Sequence, residues 1–175
     1  VTYVWYPIQT VTATADVDGI YTFDGVKVRE GSTVSIRYSS LGEVSQKFYV
    51  NNFDIDLDSL EVAVLESTSQ SDTSKVTYSL ISDITTLTSE SLIYYLFETT
   101  DRRYEISFGD GILGKSLPHG NVVVVEYLVS KGSAPNGSYV FTLMDKIGSY
   151  SSVTLKTAQI AAGGQEKESI DFVKT

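Results

Sequence analysis

The sequence predicts a mainly β protein: antiparallel multi-hairpin sheets or a sandwich, with little helix and one short C-terminal helix. Three observations carry that expectation. The composition is rich in strand formers, with 12 Tyr and 7 Phe among 175 residues and abundant Val, Ile, Ser and Thr, the side chains that suit a pleated, half-buried surface. Apolar and polar residues alternate with period two in many short runs. Turn signals built from Gly, Asn and Asp recur every 8–12 residues or so, the spacing of a sandwich or multi-hairpin sheet.

The elements follow in order. Val1 to Ile8 is aromatic and apolar and reads as a pairing strand, with Trp5 as a packing anchor. Ile20 to Phe23 and Val26 to Val28 flank Asp24-Gly25, the dipeptide of a two-residue type I′ hairpin. Glu30-Gly31 turns the chain into Thr33 to Tyr38, where Val34, Ile36 and Tyr38 share a face. Gln46 to Val50, Phe53 to Leu57, Leu60 to Leu65 and Lys75 to Ile81 read as extended. The polar run 66–74, ESTSQSDTS, reads as an exposed loop. Ser91 to Thr99 is ambiguous by periodicity, and its Tyr and Phe content tips it to strand. Tyr104 to Phe108 and Val122 to Val129 follow, then Tyr139 to Leu143 and Val153 to Ile160. After Gly163-Gly164, the acidic Glu166 and Glu168 and the apolar pair Ile170 and Val173 at i, i+3 predict the start of a helix. The expected organisation is a β-rich domain over 1–162, divisible into two small lobes near 39–45 or 66–74. Residues 163–175 then open a C-terminal helix leading into the rest of a longer protein.

Composition restricts function. A chain of this length buries roughly 68–70% of its unfolded surface and needs no covalent staple. Cysteine is absent, which excludes disulfides and thiolate metal sites. The net charge is −9, with a pI near 4.5. That balance argues against a nucleic-acid partner, whose phosphates require clustered Lys and Arg. Arg102-Arg103 is the only adjacent basic pair, and Glu98, Asp101 and Glu105 surround it. No apolar run approaches the ~20 residues of a membrane-spanning helix.

Three patterns invite chemical readings. Gly109 to Ser116 spells GDGILGKS and satisfies the phosphate-loop pattern G-x-x-x-x-G-K-[ST]. Such a loop needs Lys115 and Ser116 to open a helix whose dipole faces the anion. Here Leu117-Pro118-His119-Gly120-Asn121 and four valines follow, which end any helix. The next strand also begins too soon for a parallel crossover. The expectation is a strand-loop-strand connector. Asp54, Asp56 and Asp58 have the spacing of the first calcium-loop ligands, but Ser59 stands where that loop requires Gly and Leu65 where it requires Glu. On a strand, the three carboxylates would share a solvated face, with Phe53, Ile55 and Leu57 opposite. His119 is the only histidine, lies in a turn, and has no nucleophile-elbow motif to serve. No catalytic residue, cofactor or metal ligand is expected.

The pattern Tyr104-Glu105-Ile106, Phe108-Gly109-Asp110-Gly111, Gly114, Pro118, Gly120, Val122, Val124, Tyr127, Gly132 and Asn136-Gly137 resembles a segment of the baseplate J-like proteins of contractile phage tails. That is the family of the T4-like baseplate wedge subunit. Ala162-Gly163-Gly164 and Glu168-Ser169-Ile170 match the family's continuation. The likeness covers the second half well and the first half only in its β character, and Ser133-Ala134-Pro135 makes one turn longer than usual. The resemblance implies a virion structural protein of the tail baseplate, assembled in the bacterial cytoplasm. It implies self-association into dimers or rings and contacts with other wedge subunits, with no enzymatic activity, nucleic acid, membrane or small-molecule substrate. Phe108, Gly109, Asp110, Gly111, Gly114 and Gly120 would then form a structural turn motif. Partner contacts are expected near Trp5, Tyr6, Tyr127 and Leu128. A baseplate part of a type VI or other contractile injection system is the alternative within this machinery, and a carbohydrate-binding β-sandwich the alternative outside it.

Overall fold

A computed structural model describes residues 1–67, 74–150 and 152–166. The chain divides into two compact units, one of Ser32–Val129 and one of Val1–Gly31 together with the chain from Ser130 onward. The boundaries thus fall at the ends of two adjacent strands; positions 39–45 lie inside the first-named unit, and most of the run 66–74 lies outside the described residues.

In the flanking unit, β1 (Trp5–Pro7) pairs antiparallel with β2 (Val28–Glu30), setting Trp5 opposite Glu30 and Pro7 opposite Val28. Trp5 meets Phe141 edge-on, with ring centroids 5.4 Å apart. The expected hairpin at Asp24-Gly25 does not form. Residues 20–27 carry no strand, and Val28 ladders instead with Pro7. Asp16 draws the chain into an Asx turn, its Oδ1 accepting from Asp18 N at 2.9 Å and Ile20 N at 2.8 Å. That local bonding competes with the ladder Ile20 would have joined. Tyr139 to Leu143 and Val153 to Ile160 are likewise not strands, which corrects a second expectation. Gly163 to Glu166 are not helical, and the remainder of the expected C-terminal helix lies outside the described residues.

The central unit is one seven-stranded sheet. Its strands are β3 (Ser32–Ser39), β4 (Phe48–Val50), β5 (Ile55–Leu65), β6 (Val76–Leu80), β7 (Ile93–Glu98), β8 (Tyr104–Phe108) and β9 (Val122–Val129), in the order β3-β9-β5-β6-β7-β8-β4. The sheet curls until its two ends face each other. Tyr38 on β3 donates its hydroxyl proton to the Tyr49 carbonyl on β4, and the Tyr38 and Phe48 rings meet edge-on at 5.5 Å. The result is a nearly closed barrel in which side chains, rather than a ladder, bridge the last gap.

The interior follows from the pleat. Val123, Val125 and Tyr127 of β9 point inward with Val62, Val64, Tyr78, Tyr94, Ile106, Phe108, Phe48 and Val50. The alternate residues Val122 and Val124 are buried with Leu65 in a second cluster. Burial on both faces is why β9 reads as a continuous apolar run rather than an alternation. Its two neighbours, β3 and β5, are both antiparallel to it.

Two features depart from a simple meander. The β6–β7 pair is parallel, through Ser79↔Ile93 and Leu80↔Tyr94 only, and residues 81–92 supply the long crossover such a pair requires. That crossover holds a 3₁₀ turn, Ile84–Thr86, capped by Asp83, whose side chain accepts from Thr85 N. The second feature is in β5, where the register slips between Asp56 and Glu61. The Ser59 hydroxyl donates to the Asp56 carbonyl at 2.6 Å and accepts from the buried Leu128 N–H at 2.8 Å. It thereby replaces a lost ladder partner. The alternation expected over Phe53 to Leu57 is not realised: Phe53 precedes β5, Leu57 lies within the slip, and both are exposed rather than buried.

Candidate functional site

The glycine-rich stretch forms the connector between β8 and β9, and each of its singled-out residues has a place there. Phe108 ends β8 in the core, packed edge-on against Phe48 and Tyr78. Gly109 then crosses directly over Gly114: a Cβ on Gly109 would stand 2.2 Å from the Gly114 carbonyl carbon. Gly114 is itself at φ +90°, and a Cβ there would fall 2.8 Å from Ile93 Cδ1. This crossing of two backbones is possible only without side chains at either point. Gly120 has nothing within 4 Å of its would-be Cβ, so its place rests on its φ of +87° alone.

Asp110 completes the loop. Its Oδ1 accepts from Ile112 N and Leu113 N, both at 2.8 Å. The Leu113 N–H, followed by that of Ile112, holds the carboxyl below its usual value, because both bonds favour the charged form. Three further amides are engaged: Gly111 N with Gly114 O at 3.0 Å, Gly114 N with Thr88 O at 3.0 Å, and Lys115 N with Ser91 O at 2.9 Å. A phosphate cradle needs such N–H groups free and convergent. In this loop a carboxylate and three carbonyls already occupy five of them, Gly111 through Lys115. Lys115 is exposed, and no helix follows Ser116.

A second set of motif residues closes on itself in the flanking unit. The Asn136 amide forms a two-bond clasp with the Gly164 backbone, Nδ2 donating to Gly164 O at 2.8 Å and Oδ1 accepting from Gly164 N at 3.0 Å. Glu166 accepts from Ser133 N and Oγ at 3.1 and 2.6 Å. A Cβ on Gly164 would meet Gly132 O at 2.3 Å. Asn136 and Gly164, 28 residues apart, therefore belong to one structure, which period and propensity alone do not reveal; Asn136 is legible in the sequence only as a turn residue. Nearby, the buried Glu30 accepts from Lys131 N at 2.9 Å and Ser130 Oγ at 3.2 Å. Sequence reasoning also passed over this carboxylate, because a lone Glu before Gly31 carries no motif.

The four expected contact residues separate. Trp5 and Tyr6 belong to the flanking unit, Trp5 half-buried against Phe141 and Tyr6 exposed. Tyr127 and Leu128 are 3% and 8% exposed in the central unit, so they are packing residues, and the expectation that they meet a partner is corrected. Of the three aspartates near the β5 bulge, Asp56 Oδ1 accepts from Asp58 N at 3.2 Å. Among the described residues, no group of three or more His, Cys, Asp or Glu is disposed to hold a metal ion. His119 is exposed in the turn before β9, and its main-chain N lies 3.0 Å from where a Cβ on Gly42 would be. At the connector end of the barrel, the crevice lined by Phe48, Phe108, Gly109 and Leu117 measures about 10 Å³, room for no more than a water.

Neither a family model nor a curated protein sequence matches this chain.

Proposed function

We propose that this chain is a structural domain of a contractile phage-tail baseplate wedge subunit, a non-enzyme that works through self-association and contacts with other baseplate proteins. The reading rests on the residue pattern from Tyr104 to Gly137 and its continuation at Ala162-Gly163-Gly164, which resemble the baseplate J-like proteins. The observation that carries it is the connector itself. The amides from Gly111 through Lys115 are spent on Asp110 and on neighbouring carbonyls, so the most distinctive motif shapes the backbone rather than cradling an anion. Such a role places the chain in the virion, after assembly in the host cytoplasm. The equivalent part of a type VI or other injection-system baseplate would use the same features.

The reading outside this machinery is a glycan-binding module. Tyr49, Tyr95 and Phe97 alternate with core residues on β4 and β7 and so lie on the outer side of the barrel, where aromatic faces could stack on sugars. Thermal-shift measurements with a glycan panel and with ATP-Mg²⁺, together with light scattering across a concentration series, test both. Concentration-dependent assembly with no ligand response is expected. A strictly monomeric chain stabilised by a glycan or nucleotide would overturn the structural reading.

A further inference from the structure

The flanking unit poses a contradiction between its sequence and its backbone. Tyr139 to Leu143 and Val153 to Leu155 have strong strand composition, yet neither is in a ladder. Among the described residues, no main-chain hydrogen bond holds the N–H groups of Tyr139 to Asp145; the segment's contacts are the edge-on Trp5–Phe141 pair, Thr157 Oγ1 donating to Tyr139 O at 2.6 Å, and Asp145 Oδ1 accepting from Lys146 N at 2.7 Å. The side chains are exposed to match: Tyr139 66%, Val140 72% and Met144 81%. Between the two segments lies an open groove of about 620 Å³, lined by Phe141, Leu143 and Met144 and by Val153 and Leu155.

We infer that Tyr139 to Met144 is a strand awaiting its pair, and that the pair is the same segment of a second copy of this chain, docked antiparallel about a two-fold axis. This rests on the self-association reading above and assigns it a place. Three observations favour a second copy. The segment is uncharged from Tyr139 through Met144, so self-pairing opposes no like charges. The net charge of −9 is also unevenly divided: the central unit has six Lys and Arg against fourteen Asp and Glu, a net of −8, and the flanking unit seven against eight, a net of −1. Two copies therefore meet at least electrostatic cost through the flanking unit. Finally, Val140, Thr142 and Met144 share one face by strand alternation. Pairing centred on Thr142 sets Val140 of one copy opposite Met144 of the other and Thr142 opposite Thr142, the cross-strand pairings that stabilise sheets. A two-fold interface is self-complementary by construction, and strand addition supplies affinity through main-chain bonds.

Sedimentation of the chain over a concentration series tests this with three variants. Val140→Asp places two carboxylates in the pairing, and Thr142→Pro deletes one N–H donor without removing apolar surface. Both positions are exposed, and circular dichroism confirms that the barrel is retained. Each is expected to weaken dimerisation tenfold or more, whereas Phe97→Ser on the exposed barrel face leaves it unchanged. Amide exchange at Val140 and Thr142 should slow as concentration rises. Dimers that survive both flanking-unit variants but are lost with Phe97→Ser would overturn this interface while leaving self-association standing. A chain that stays monomeric at millimolar concentration overturns the interface and the self-association reading together.

Discussion

Gly109 and Gly120 show how one residue type serves two physical ends in a single connector. At Gly109 the neighbouring backbone lies 2.2 Å from where a Cβ would be, and no rotamer relieves a clash with main chain. Gly109→Ala is expected to cost about 3 kcal/mol, the upper range for overpacking. Gly120→Ala meets open space and should cost only the left-handed backbone penalty, about 1–2 kcal/mol. Denaturant titration of the two variants should show that order, and equal losses would mean that the crossing at Gly114 is not rigid. Ser59 is a second such residue. Ser59→Ala strands the Leu128 amide, a buried donor, at about 1–3 kcal/mol, and Ser59→Thr, which keeps the hydroxyl, should recover most of it. Asp110 differs again, because it is solvent-facing and acts through charge. Its folded pKa is depressed by the Leu113 and Ile112 amides, so its contribution is complete above the unfolded value near 3.9 and is lost as pH falls through the folded value. Asp110→Asn should therefore lessen the loss of stability on acidification below about pH 4.

Among the elements, the parallel β6–β7 seam is the thinnest ladder of the barrel. Two register pairs hold it, with Ser79 N donating to Leu92 O and Ile81 N to Tyr94 O, whereas β3 and β9 share eight pairs. Amide exchange at Ser79 and Ile81 should consequently be faster than at Val123 and Val125, whose strand is laddered on both sides and buried on both faces. Uniform protection around the barrel would contradict this. The β5–β9 contact shows the opposite economy. Glu61 and Glu126 stand opposite each other in register, a repulsive pairing that Lys75 relieves by bonding Glu126. That bond, ahead of the other influences, lowers the Glu126 pKa. Strand existence was legible here from alternation and aromatic content, as at Tyr104 to Phe108 and Ser91 to Thr99. The slip at Ser59 was not, since a bulge leaves no mark in a run of alternating Asp and apolar residues.

For the whole molecule, the uneven division of charge between the units bears on acid behaviour. Asp83, Asp101, Asp110 and Glu126 of the central unit all have lowered pKa values, set first by bonds from Thr85, Thr99, Leu113 and Lys75 respectively. Each contributes stability above its unfolded value that is lost as pH falls through its folded value. In the flanking unit, Glu166 behaves likewise through Ser133.

The sequence by itself determined that the protein is β-rich, which runs become the strands from Ser32 to Val129, and that GDGILGKS is a connector between two of them. Those outcomes depend on short-range chemistry: side-chain alternation, β-branching, and glycines where side chains cannot fit. Only the tertiary structure decided the strand order, the parallel seam and the near-closure through Tyr38, because pairing partners are chosen by contacts far apart in sequence. It also decided that Ile20 to Phe23, Tyr139 to Leu143 and Val153 to Ile160 would not join a ladder. A strand's propensity is local, but its ladder belongs to a neighbour, and among the described residues those three segments have no such neighbour.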